Sequence, residues 1–198
     1  MLYNSTQNNN KVVSSAQAIA QGISEDGGLF VPQSFPKFGS DDIKNMLSMS
    51  YQQRAEVVFK YYLTDFTDDE IADCVYKAYT KEKFESDNPA PITSVEYNGK
   101  ELNVLELWHG PTCAFKDMAL QILPHLLTKS LKKTADGTKA VILVATSGDT
   151  GKAALEGFKD VPNTKILVFY PSDGVSAMQK LQMITQEGNN VGVSAIKG

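Results

Sequence analysis

Residues 140–158 read AVILVATSGDTGKAALEGF. The stretch opens with an unbroken apolar run from Ala140 to Ala145, the composition of a buried parallel strand. Thr146 to Gly151 is turn-forming, and Ala153 to Phe158 continues as a short helix. The pattern then repeats downstream. Ile166 to Tyr170 reads as a second strand. Ser176 is placed to cap a helix carrying Met178, Leu181 and Ile184, which Gly188 ends. Val191 to Ile196 is a third strand. The order βαβαβ predicts a doubly wound parallel sheet. Three strands are few for such a sheet, and the chain ends directly after the third, so this α/β part (135–198) is expected to be incomplete.

Upstream, residues 93–134 form a different region. Val95 and Tyr97 alternate with polar residues up to Asn98-Gly99, and Leu102 and Val104 resume after it. Asn-Gly between alternating apolar runs predicts a hairpin. The second strand runs out through Leu105-Glu106-Leu107-Trp108, and the chain turns at His109-Gly110-Pro111-Thr112. A helix is expected from about Lys116-Asp117 through Leu120, Leu123 and Leu127, kinked or broken at Pro124.

Residues 1–92 read as a mainly helical domain. Ser14 or Ser15 caps a short helix stopped at Gly22. Asp26-Gly27-Gly28 turns into a short strand, Leu29-Phe30-Val31, ended by Pro32. Ile43, Leu47, Val57, Val58 and Tyr61 mark helical positions with an interruption near Ser50. Thr67-Asp68-Asp69-Glu70 is a capping box before Ile71, Cys74, Val75, Ala78 and Tyr79.

Composition bounds the class. The 198 residues are 42% hydrophobic and 21% charged, with a net charge of −4, which suits a globular chain and gives no general pull on nucleic acid. Met1 to Asn10 is polar and lacks the pattern of a secretory leader. No apolar run is long enough to span a bilayer. Cys74 and Cys113 are far apart in sequence, which suits a reducing compartment, so a cytoplasmic location is expected. His109 and His125 have no metal-ligand spacing, and no metal is expected.

Two segments carry chemistry. Thr146-Ser147-Gly148-Asp149-Thr150-Gly151 joins a strand to a helix start, where free N–H groups and the helix dipole favour an anion. Ser147 and Thr150 add hydroxyls. The Walker spacing and GxGxxG are both absent, so the residues alone suit a small carboxylate or phosphate, or an ordinary turn. The second segment is His109-Gly110-Pro111-Thr112-Cys113-Ala114-Phe115-Lys116-Asp117. The apolar flank Cys113-Ala114-Phe115 predicts partial burial of Lys116, and an amine that loses its proton readily attacks an aldehyde to form a Schiff base. Asp117 reads as a support for the helix, and His109 as a hydrogen-bonding structural residue. Together the segments suggest an aldehyde-binding lysine and a separate anion cradle, the elements of a pyridoxal phosphate site.

Leu105 to Thr112 followed by Ala114-Phe115-Lys116-Asp117 is similar to the cofactor-lysine segment of threonine synthases. Ala145 to Gly151 resembles the substrate loop of the same family. Ala16 to Gly22, Asp26 to Pro32, Pro162-Asn163 and Tyr170-Pro171 also match, so the resemblance covers essentially the whole chain. It implies a fold type II pyridoxal phosphate enzyme, a lyase of amino-acid biosynthesis, that converts O-phospho-L-homoserine and water to L-threonine and phosphate. On that resemblance Lys116 is the catalytic residue and holds the cofactor. Thr146, Ser147, Gly148 and Thr150 bind the substrate carboxylate. Asp149 stands beside the cofactor, where many relatives outside this branch have asparagine. Cys113 replaces a frequent leucine. The family's cofactor-phosphate loop has no counterpart here. The chain is therefore expected to be the N-terminal portion of the parent enzyme, inactive by itself, with residues 93–134 belonging to the large cofactor domain. Two other readings stay open: a phospholyase acting on the same substrate, and a non-catalytic α/β module that binds a small anion. A nucleotide site lacks a placed acidic ribose partner.

Overall fold

The computed structural model describes residues 1–135 and 137–197, and the chain divides into two compact units. One is Met1–Lys77 with His125–Thr138; the other is Ala78–Pro124 with Lys139 onward.

The first unit begins with strands β1 (Leu2–Ser5) and β2 (Val12–Ser14), helix α1 (Ser15–Gln21) and strand β3 (Phe30–Pro32). The strands form one antiparallel sheet in the order β2-β1-β3. Strands β1 and β2 add a sheet to a region expected to be mainly helical with one short strand, which is β3. The strands are three or four residues long, too short to show a period-2 pattern, and β1 lies in a stretch that reads as polar. Ser14 caps α1, accepting the Gln17 N–H at 3.2 Å. The Asp26-Gly27-Gly28 turn is tied to β1 by the Asp26 carboxylate, which accepts the Ser5 hydroxyl at 2.7 Å and the Gly28 N–H at 2.9 Å.

Helices α2 (Ser40–Leu47) and α3 (Tyr51–Tyr62) follow, separated at the expected interruption. Ser50 and Gln53 close a capping box there. Helix α4 (Asp68–Ala78) starts at the predicted Thr67–Glu70 box, where the Thr67 hydroxyl accepts the Glu70 N–H at 3.2 Å and the Glu70 carboxylate accepts the Thr67 N–H at 2.8 Å. Its Ile71, Cys74 and Val75 are buried.

The second unit contributes α5 (Lys81–Phe84), the hairpin β4 (Ile92–Tyr97) and β5 (Lys100–Leu105), and α6 (Asp117–Leu120). Asn98 and Gly99 both take positive φ, 52° and 69°, as the two-residue hairpin turn requires. The helix expected through Leu127 is broken before Pro124. Helix α7 (Leu123–Thr134) follows the break, and from His125 it belongs to the first unit. There Lys129 and Lys133 bridge to Asp73 and Glu70 of α4 at 2.8 and 2.7 Å.

The chain then returns to the second unit with β6 (Ala140–Ala145), α8 (Asp149–Phe158), β7 (Thr164–Pro171), α9 (Ala177–Ile184) and β8 (Val191–Ile196). The sheet is parallel in the order β6-β7-β8, the predicted βαβαβ fold. Two expectations are corrected. Helix α8 begins at Asp149, a turn earlier than its apolar residues indicate. Strand β6 is not buried throughout, since Val141 and Leu143 are 64% and 66% exposed. Ile142 and Val144 pair in register with the buried Ile166 and Val168, so an edge strand buries one face only. Among the described residues no helix is long and apolar enough to cross a membrane.

Candidate functional site

Both chemical segments lie in the second unit, and α6 packs against α8. The approach is very close. A Cβ built on Gly157 of α8 would lie 2.0 Å from the Leu120 carbonyl oxygen of α6. Only glycine leaves room for that backbone, so the residue at 157 sets how near the lysine segment sits to the helix that the anion loop begins.

The lysine segment is a turn locked by one carboxylate. Asp117 is fully buried. Its Oδ2 accepts the Thr112 N–H at 2.8 Å, and its Oδ1 accepts the Thr112 hydroxyl at 2.8 Å. Gly110 permits this, because a Cβ there would lie 2.5 Å from the Asp117 side chain. Burial raises the Asp117 carboxyl above its ordinary pKa. The Thr112 and Ala114 hydrogen bonds oppose the rise, and the Glu156 charge adds to it. Cys113 takes a positive φ of 56°, and its N–H reaches the Gly110 carbonyl at 3.0 Å.

Lys116 precedes α6 by one residue, half-buried, with Nζ 4.1 Å from the Phe115 ring centroid. Among the described residues it makes no ion pair. The partial burial of Lys116 is as expected, but its apolar flank does not supply it. Cys113 is exposed and Phe115 is 62% exposed, because the tight turn directs both away from the core. Upstream, Glu106 accepts the Thr93 hydroxyl at 2.6 Å and meets His109 Nε2 at 2.6 Å. The Thr93 and then the His109 contacts hold the Glu106 carboxyl below the usual carboxylate range. His109 thus fastens the end of the hairpin to the turn.

The loop is built around Thr146. Its hydroxyl accepts the Gly148 N–H at 3.2 Å and the Gly151 N–H at 3.3 Å. The N–H groups of Ser147, Asp149 and Thr150 meet no acceptor among the described residues. They stand at the positive end of a ten-residue helix, an arrangement suited to an anion. Gly151 is buried, and a Cβ there would lie 2.2 Å from Thr146 Cγ2 and 3.0 Å from Val168 Cγ1, so its glycine lets α8 rest directly on β7.

One residue of this neighbourhood is invisible to motif reading. Gln179, on α9, donates from Nε2 to Asp149 Oδ1 at 2.9 Å and lies against Gly148. The Ser176-x-x-Gln179 capping pattern was the available signal, but it speaks only for a helix start.

A family model described as Threonine synthase N terminus matches residues 2–79. The whole chain is 39% identical to threonine synthase of Pseudomonas aeruginosa, over 41% of that protein. Its fold superposes on the crystal structure of PLP-bound threonine synthase from Brucella melitensis with a TM-score of 0.88 at 35% identity, covering all of this chain and 41% of that one. Yeast threonine synthase superposes with a TM-score of 0.89 at 32% identity, over 40% of that chain. The chain therefore spans about two fifths of the length of the curated relatives it matches. In sequence and in fold it corresponds to the N-terminal portion of threonine synthases.

Proposed function

We propose that this counterpart of the N-terminal portion of threonine synthases supplies the cofactor lysine and the substrate-carboxylate loop of a cytoplasmic enzyme that makes L-threonine and phosphate from O-phospho-L-homoserine and water. The observation that carries the reading is Lys116, an amine outside any ion pair among the described residues. It stands on a turn locked by Asp117 and Thr112, in the same unit as a loop with free N–H groups. A primary amine that can meet the cofactor's aldehyde and a separate cradle for the substrate's carboxylate fit the part of a pyridoxal phosphate site that these two segments would supply. When bound, pyridoxal phosphate supplies an electron sink for the substrate's α and β carbons.

This chain's residues do the rest. Lys116 would hold the cofactor and then carry protons at the substrate's α and β carbons. The N–H groups of Ser147, Asp149 and Thr150, with the Ser147 and Thr150 hydroxyls, would grip the substrate carboxylate. Thr146 shapes that grip by drawing the Gly148 and Gly151 N–H groups onto its own hydroxyl. Gly148 leaves the approach clear of a side chain. Asp149 would stand beside the cofactor, its carboxylate accepting a hydrogen bond where asparagine could also donate one.

The test is incubation with pyridoxal phosphate, borohydride reduction and peptide mapping. Reduction traps even weakly held cofactor. Preferential modification of Lys116, lost in Lys116→Ala, is expected; modification spread evenly over surface lysines refutes the assignment. Threonine and phosphate are the expected products from O-phospho-L-homoserine. Phosphate with a keto acid instead would make the protein a phospholyase.

A further inference from the structure

We infer that Gln179 is a positioning residue for the anion loop: it holds the Asp149 carboxylate away from the N–H groups that receive the substrate carboxylate. The inference rests on the reading of the loop given above.

Asp149 is the first residue of α8. A carboxylate at that position is itself a good ligand for the helix's free N–H groups, so it competes with any incoming anion. The structure shows what restrains it. The Gln179 carbonyl oxygen is engaged at its own helix start, accepting the Ser176 hydroxyl at 3.1 Å and the Ser176 N–H at 3.4 Å. That fixes the amide's orientation and turns its NH2 group toward Asp149, where Nε2 donates to Oδ1 at 2.9 Å.

The amide also lies flat on the loop. A Cβ on Gly148 would lie 2.4 Å from Gln179 Nε2, 2.6 Å from Cδ and 3.0 Å from Oε1. The absence of a side chain at Gly148 leaves the space that the Gln179 amide occupies. Gly148, Asp149 and Gln179 thus form one device. Its effect is expected on substrate capture, since the amide's hydrogen bonds go to Asp149 and Ser176 and not to Lys116.

Two measurements test this. In the full-length enzyme, Gln179→Ala is expected to raise KM for O-phospho-L-homoserine about tenfold, the worth of one hydrogen bond to a charged group, with kcat changed less than about threefold. Gln179→Glu, which sets a second carboxylate against Asp149, is expected to raise KM further. An unchanged KM in both variants overturns the inference, as does an equal fall in kcat and kcat/KM. Absence of threonine formation by the wild-type enzyme would instead overturn the functional reading on which the inference rests. The second measurement needs no activity. Urea midpoints are taken for this chain, Gly148→Ala, Gln179→Ala and the double variant. A new Cβ at 148 displaces the flexible amide, so both single changes break the same contact. The double variant is expected to shift the midpoint no more than the larger single change, and additive shifts refute the coupling.

Discussion

Replacing Gly157 with alanine tests how the lysine segment is held. The new Cβ would stand 2.0 Å from the Leu120 carbonyl oxygen and 3.0 Å from its carbon. Ordinary carbon–oxygen contacts begin near about 3.3 Å, so α6 and α8 must separate by roughly 1.3 Å. Both sides of the contact are backbone, and no flexible side chain can give way. Gly157 is flanked by buried Leu155 and Phe158, so the strain spreads into the packed core. Overpacking of this kind costs about 1–3 kcal/mol, and rigid backbone on both sides argues for the upper end. Alanine recovers about 1 kcal/mol of helix propensity. The net expectation is about 2 kcal/mol of destabilisation, or about 8–10 °C in the melting of the unit that contains it. The assay is thermal and urea unfolding followed by circular dichroism, with Gly39→Ala as control. A Cβ at Gly39 meets nothing nearer than Asp42 Oδ2 at 3.5 Å. If Gly157→Ala melts with the control or above the wild type, the close approach of α6 to α8 is refuted.

Three further outcomes follow from other contacts. Asp117→Ala strands the buried Thr112 N–H and is expected to cost about 2–3 kcal/mol, whereas Asp117→Asn keeps an acceptor for it and costs less in the same urea titration. The Asp117 carboxyl is raised on folding, so its contribution is greatest below the ordinary aspartate pKa and is lost as pH rises through the folded value. Asp117→Asn should flatten that part of the unfolding profile. Asp73 is lowered by its hydrogen bonds to Lys129 and then Lys77, and Glu70 is lowered because Lys133 and the Thr67 N–H outweigh its burial. Their contributions are present above the ordinary carboxylate range and vanish as pH falls through the folded values. The first unit should therefore lose stability below about pH 4, and Lys129→Ala should make that loss smaller. Cys74 is buried with its thiol pushed up to about 11 by burial, while Cys113 is exposed. A thiol reagent at pH 8 should modify Cys113 in the native protein and Cys74 only in urea; rapid modification of both would contradict the packing of α4.

Much of this molecule is legible one segment at a time. Asn98-Gly99 specifies a hairpin because only such residues accept positive φ at both turn positions. Ser14, Thr67 and Ser176 mark helix starts because their hydroxyls accept N–H groups within the next turn. The alternation of apolar strand and helix between residues 140 and 196 predicts the parallel sheet. The segment around Lys116 and the Thr146–Gly151 loop stand out for the same local reason, since residue types and spacing there suit a lysine and an anion cradle. These signals depend on neighbours a few positions apart, which a sequence displays directly.

Tertiary structure alone decided what holds those segments. Strands β1 and β2 exist through pairing across 12 residues, Leu2 to Ser14, and carry no pattern of their own. Helix α8 begins at Asp149 because an acidic residue suits the first turn, and Gly151 can enter it because β7 and α9 pack against it. The burial of Asp117 against Gly110, the approach of Leu120 to Gly157 and the grip of Gln179 on Asp149 join residues 7, 37 and 30 positions apart. No local rule links such pairs. They arise when helices pack, and they decide whether a lysine and a loop that the sequence displays separately act as one site.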